Sequence, residues 1–105
     1  MEKFVNDLLP RVKANLILAH DADDELICGY IRAALDYAKT YQKLERLWKT
    51  IPPLTEQAVI MLASHWYESR DGSTAGFFGD NTSAASNVMN AVMRLLAENK
   101  ERWHL

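Results

Sequence analysis

The sequence predicts an all-α fold, a small bundle of four to five helices with a long glycine-rich loop before the last one. Three observations carry that prediction. Apolar residues recur every three or four positions through successive stretches, prolines and glycines punctuate the chain between them, and no run supports a convincing strand. A chain of 105 residues, 49% apolar and 25% charged, has the length and balance of a single folded domain, 1–105, and excludes a disordered tail.

The first stretch, from Glu2 to about Leu18, places Phe4, Val5, Leu8, Leu9, Val12, Leu16 and Ile17 close to helical spacing. Pro10 interrupts it. A proline removes one helical hydrogen bond and crowds the preceding turn, so the expectation is a short helix before Pro10, or one with Pro10 in its first turn.

The second stretch, from Asp23 to about Lys43, carries the strongest pattern, with Leu26, Ile27, Tyr30, Ile31, Ala34, Tyr37, Ala38 and Tyr41 on one face. Gly29 within it costs about 1 kcal/mol relative to alanine, which suggests a close crossing by another helix. "TIPPLTEQ" is then a break, because two prolines cannot sit in a helix interior, and a third helix is expected after it. That helix would bury Ala58, Met61, Leu62, His65, Trp66 and Ser69 and run to about Arg70.

Residues 71 to 82, "DGSTAGFFGDNT", hold three glycines and no period, and read as a loop. The last helix begins near Thr82 or Ser83, either able to cap it, and continues an apolar stripe through Val88, Met89, Val92, Met93, Leu96 and Trp103.

The stretch "HDADDELI" sets four carboxylates into five consecutive positions, Asp21 to Glu25. A calcium loop of the EF-hand type requires a glycine at its sixth position and a bidentate glutamate at its twelfth, where this chain has Leu26 and Arg32. The run therefore reads as a helix start, with Asp21 or Asp23 accepting hydrogen bonds from first-turn N–H groups and the other acids at the positive end of the helix dipole.

Other chemistry finds little support. His20, His65 and His104 lie on different elements without metal-ligand spacing, and His65 reads as a hydrogen-bonded core histidine. Cys28 is the sole cysteine, which excludes an internal disulfide and reads as a partly buried, inert thiol. No G-x-S-x-G surrounds any serine, and the glycines of 72–79 form no phosphate loop. The expectation is a protein with no catalytic apparatus, no metal and no cofactor.

Lys and Arg number 12 against 14 for Asp and Glu, a net charge of −2, too weak for any bulk argument about nucleic acid or anionic membrane. Locally, the acids cluster at 21–25, and Lys39, Lys43, Arg46 and Lys49 outnumber Glu45 in the approach to Pro52. That asymmetry is either a solvated helix face or the edge of a subunit. No apolar run reaches the ~18 residues of a membrane span, and "MEKFVNDLLPRVKANL" lacks a signal-peptide core, so the expected location is the cytosol that made the chain. Phe77 and Phe78 either fold back over the core or form a patch that needs a partner. Trp103, with Arg94, Lys100 and Arg102 around it, either closes the bundle or anchors a tail in another protein.

Two stretches together resemble the small head-to-tail connector, or adaptor, proteins of long-tailed phages and prophages, some described as DNA-packaging proteins. The first, "HDADDELICGYIRAALDYAKTY", is similar to the family's acidic cap followed by Leu-Ile, Tyr-Ile, Ala-Ala and a later Tyr. The second, "IPPLTEQAVIMLASHWYESRDG", is similar to its Pro-Pro, Gln-Ala-Val and His-Trp-Tyr-Glu-x-Arg run. Relatives often approach the last helix through a short proline-containing segment, where this chain has "TAGFFGDNTSAASNVMN".

The resemblance implies a structural virion protein that assembles in the host cytoplasm as a ring of about twelve subunits. It would join the portal protein to the next tail-completion (stopper) protein and extend the channel for passing DNA, without sequence-specific contact to that DNA and without a membrane. It implies a portal attachment through the C-terminal segment, about 94–105 with Arg94, Lys100, Arg102 and Trp103, and further contacts through the 71–82 loop with Phe77 and Phe78. Lys43 and Arg46, at the basic end of the second helix, are then the expected mates of the acidic 21–25 end of a neighbouring subunit. A small helical DNA-binding regulator is the alternative by size, yet its recognition helix would need basic residues, and the third helix offers little beyond His65 and Arg70.

Overall fold

The computed structural model describes the backbone of residues 1–69 and 81–102, and the side chains of residues 1–69 and 87–97. Four helices occupy the described residues, with no strand among them: α1 (Glu2–Leu16), α2 (Asp24–Tyr41), α3 (Pro53–Ser69) and α4 (Asn81–Arg102). The 71–82 loop, with Phe77 and Phe78, lies outside the described residues except at its end, where α4 starts at Asn81.

α1 runs unbroken through Pro10, against the interruption expected there. Pro10 and Asn6, the residue whose carbonyl loses its partner, are both exposed, so that carbonyl is not forced to stay unsolvated. The opposite face buries Val5, Leu8 and Val12. α1 ends in a Schellman turn: Ile17 N–H bonds to Ala14 O at 3.2 Å and Leu18 N–H to Lys13 O at 2.9 Å, with Ile17 left-handed at φ 58°. α2 ends the same way, with Lys43 at φ 57° and Leu44 N–H on Lys39 O.

α2 buries Ile27, Ile31, Ala34, Leu35 and Ala38, a stripe rotated slightly from the expected one. Leu26 is exposed and Leu35 takes its place inside. Gly29 supports no close crossing, since it is exposed and a Cβ built there would meet nothing within 4 Å.

α3 begins inside the proline break, with Pro53 as its first residue, where a missing N–H costs nothing and φ is already set. It buries Thr55, Ala58, Val59, Ile60, Leu62, Ala63, Ser64 and Tyr67, because it is the central helix and packs against the other three. Met61, His65, Trp66 and Ser69, expected in its buried face, are only half-buried.

Side-chain bonds fix the directions. Arg32 binds Glu2 through two hydrogen bonds of 2.7 and 3.1 Å, while Lys13 at the other end of α1 meets the start of α2, so these helices are antiparallel. Arg11 pairs with Glu56 and Asn15 donates to Ser64 at 2.8 Å, so α1 and α3 run the same way. Gln42 bonds both Thr55 and the Leu96 carbonyl, which sets α3 antiparallel to α2 and to α4. The result is an up-down-up-down bundle whose core includes Val92 and Leu96 from α4.

Candidate functional site

The acidic run performs tertiary work in place of the expected helix cap. Asp23 occupies the N-cap of α2, yet its side chain makes no capping hydrogen bond; its carboxylate accepts the Tyr67 hydroxyl of α3. Asp21 accepts a 2.6 Å bond from the Lys13 ammonium, and Asp24 Oδ1, shielded from solvent, has that same ammonium 2.8 Å away as its counter-charge. Asp21, and to a lesser degree Asp24, raise the Lys13 pKa above the usual lysine value, and the Lys13 hydrogen bond holds Asp21 below the usual carboxylate range. His20 Nδ1 accepts the Ala22 N–H at 3.3 Å, closing the turn. The α1–α2 corner is therefore held to α3 by charge and hydrogen bonds, and Glu25 is the acid of the run left facing solvent without a partner among the described residues.

The opposite end of the bundle is organised by Gln42, 3% exposed. Its Nε2 donates to Thr55 Oγ1 at 2.9 Å and to Leu96 O at 3.3 Å, and its Oε1 accepts Trp48 Nε1–H at 3.1 Å. Trp48 in turn meets Phe4 edge to face, ring centroids 6.5 Å apart, a favourable quadrupole geometry. One amide thus ties α2, α3, α4 and the 42–52 connector together.

This junction positions several of the residues singled out in the sequence. Lys43 and Arg46 are exposed directly after Gln42, and Arg94 is exposed on α4 two residues before the Leu96 carbonyl that Gln42 holds. The three cations therefore share one end of the bundle. α2 separates them from the acidic corner by about 26 Å, at 1.5 Å per residue. Lys100 and Arg102 continue along α4 with side chains outside the described residues, and Phe77, Phe78 and Trp103 lie wholly outside them.

A cleft of about 390 Å³ opens beside this junction, between the first half of α1, the connector and the first turn of α3. Lys3, Asp7, Lys49 and Thr50 line it beside the Arg11–Glu56 pair, with Phe4 half-buried and Leu8 and Ile51 buried beneath them. A second, shallower groove follows Leu9, Pro10, Ala14 and Leu18 along α1.

Among the described residues, no group of three or more His, Cys, Asp or Glu side chains is placed to hold a metal ion. Cys28 is half-buried, and burial pushes its thiol above the ordinary cysteine value, away from the thiolate a nucleophile needs. His65 is half-buried and makes no hydrogen bond among the described residues, contrary to the satisfied core histidine expected. No described helix is long and apolar enough to cross a membrane. The arrangement offers charged ends, a cleft lined mainly by charged and polar side chains, and rigid packing, which suit binding to other macromolecules.

Sequence reasoning missed Lys13, Tyr67 and Gln42. Tyr67 lies 44 residues from its partner Asp23, and no local spacing announces such a pair. Compared with known proteins, residues 6–100 match the family model described as phage gp6-like head-tail connector protein. No curated protein and no solved structure matches the chain.

Proposed function

The chain belongs to the phage gp6-like head-tail connector family, a structural family of the virion, and from that premise we propose that it forms a ring beneath the portal protein and carries the DNA channel to the next tail-completion protein. The family match across residues 6–100 carries this reading. The bundle supports it, because a ring subunit needs a rigid body with two unlike ends, and the Gln42 junction and the Lys13–Asp24 corner supply them. A heterologous contact between unlike ends closes into a ring when its rotation permits. A single domain whose C-terminal segment, about 94–105, attaches to the portal completes the proposal, with Arg94, Lys100, Arg102 and Trp103 as the attachment residues and Phe77–Phe78 as a further contact.

Lys43 and Arg46 are proposed as subunit-edge cations. Both are exposed and neither has an ion-pair partner among the described residues, so a neighbour's carboxylates are free to meet them. Of the acids expected to mate with them, Asp21 and Asp24 already neutralise Lys13, which leaves Glu25 as the best placed. The test is the double charge reversal Lys43→Glu with Arg46→Glu. Helical content should stay unchanged while the number of copies recruited by the portal falls; undiminished recruitment would remove these residues from the interface.

A further inference from the structure

The unpaired cations of this chain gather at one end of the bundle. Among the described residues, Arg11, Lys13 and Arg32 each sit in an ion pair, while Lys3, Lys39, Lys43, Arg46, Lys49 and Arg94 have none. All six belong to the end that holds the Gln42 junction: the start of α1, the last turn of α2, the connector, and α4 just before Leu96. The junction fixes their places. Trp48, bonded to Gln42, precedes Lys49 and packs on Phe4, which follows Lys3, and Lys3 and Lys49 line one cleft. Leu96, whose carbonyl Gln42 holds, lies two residues after Arg94. Of the five exposed large apolar residues among those described, Met1, Leu54 and Met93 stand at this same end, Leu54 beside the Thr55 that Gln42 also binds.

A neighbouring copy cannot answer this charge in full. At its opposite end Asp21 and Asp24 already neutralise Lys13, and Asp23 accepts the Tyr67 hydroxyl, so Glu25 and Glu68 are the exposed carboxylates left there, a match for Lys43 and Arg46. Lys3, Lys49 and Arg94 remain for a different partner. Duplex DNA fits poorly, because the exposed, unpaired Asp7 and Glu45 stand among the cations and repel phosphates. A polypeptide can answer both signs and also cover Leu54 and Met93, giving the apolar centre and polar rim of a protein interface.

We propose that this end docks on an acidic stretch of a second protein, one carrying several carboxylates with apolar side chains between them, through Lys3, Lys49 and Arg94 around Leu54 and Met93. This docking rests on the connector reading, under which the C-terminal segment of α4, at the same end of the bundle, attaches to the portal; the acidic stretch then belongs to the portal. It adds the chemistry of the portal's contact surface and two cations, Lys3 and Lys49, that lie outside the C-terminal segment.

The test measures association of the full-length chain with the immobilised portal protein of the same phage across salt concentration. One variant carries Lys3→Gln, Lys49→Gln and Arg94→Gln. A control carries Ala14→Glu, Asn87→Glu and Asn90→Glu, the same change in net charge on exposed residues away from this end. The glutamine variant should associate more slowly on the order of tenfold at low salt, with its melting temperature unchanged, and the gap should close toward about 1 M salt, where the screening length falls to ~3 Å. The control should bind like the unsubstituted chain, and poly-L-glutamate should compete with the portal. An unchanged rate in the glutamine variant, with the portal still recruiting the chain, overturns this docking and leaves the connector reading standing. Equal slowing in the control assigns the effect to net charge and overturns it too. A glutamine variant that loses affinity for a short DNA duplex but not for the portal overturns it in favour of nucleic acid. If the portal recruits no unsubstituted chain, the docking and the connector reading both fail.

Discussion

Replacing Gln42 by alanine should cost this protein a large part of its stability. The amide makes three hydrogen bonds in a nearly dry environment: to Thr55 Oγ1, to the Leu96 carbonyl and from Trp48 Nε1. Each typical bond contributes about 0.5–1.5 kcal/mol net, and a buried donor left without an acceptor costs a further ~1–3 kcal/mol. Truncation also removes the aliphatic stem that fills the junction. The hydrogen-bond terms alone come to about 2.5–7.5 kcal/mol, against a total of about 5–15 kcal/mol for a domain of ordinary stability.

Urea unfolding followed by tryptophan fluorescence measures this loss, with Trp48 beside the substituted residue and Trp66 half-buried on α3. Gln42→Glu sharpens the test. It keeps the shape and the acceptor for Trp48, but at neutral pH it sets a carboxylate oxygen against the Leu96 carbonyl. Burial and that carbonyl raise the folded-state pKa of such a glutamate above its unfolded value. Its penalty is therefore greatest at high pH and shrinks as pH falls through the folded pKa, where the protonated group donates again. A loss below about 1 kcal/mol for Gln42→Ala, or a Gln42→Glu penalty independent of pH, would refute the account of Gln42 as the tie between helices.

Three further outcomes follow from the same structure. Pro10→Ala restores an N–H to the Asn6 carbonyl on an exposed helix face and should stabilise the protein by about 1–3 kcal/mol in thermal melts; a loss would mean that the proline ring makes contacts the exposed face does not show. Glu2 and Asp21 are held below the usual carboxylate range by Arg32 and Lys13 respectively, so their contributions are complete above about pH 5 and disappear as pH falls through the folded values. Acid unfolding of a Glu2→Gln, Asp21→Asn variant should accordingly show a shallower pH slope, and an unchanged slope would contradict the pairing. Cys28 should react slowly with a thiol reagent at pH 7 and faster as pH rises, because burial raises its pKa; reaction as rapid as a free thiol's would show it unshielded.

The helices were legible because a helix with one buried face writes its period into the chain. α2 shows this best: Leu26 and Leu35 exchange places between expectation and structure, and Tyr30, Tyr37 and Tyr41 lie half-buried against the core. α3 is harder to read because it is buried on several sides: Val59, Ile60, Ala63 and Tyr67 fill contacts that a single stripe through Met61, His65 and Trp66 omits. Pro10 misleads because a proline's cost depends on whether its helix face is wet, which only the tertiary fold decides.

The candidate site was legible in part. The charge asymmetry along α2 and the family resemblance were visible in the residues, and Lys43, Arg46 and Arg94 do gather at one end. The partners of the acidic run were not visible, since Asp23 reaches Tyr67 and Asp24 reaches Lys13 through packing that local spacing does not encode. Gln42 carries no motif at all. Its importance comes from four elements meeting at one buried point.

The central claim is that this chain works as a connector subunit, and the mass of its complexes tests it most directly. Light scattering after size exclusion should be recorded across concentration for the chain alone and for the chain with the portal protein of the same phage. The account predicts a discrete ring, or a monomer recruited by the portal in about twelve copies. A monomer or dimer indifferent to the portal at every concentration would contradict it.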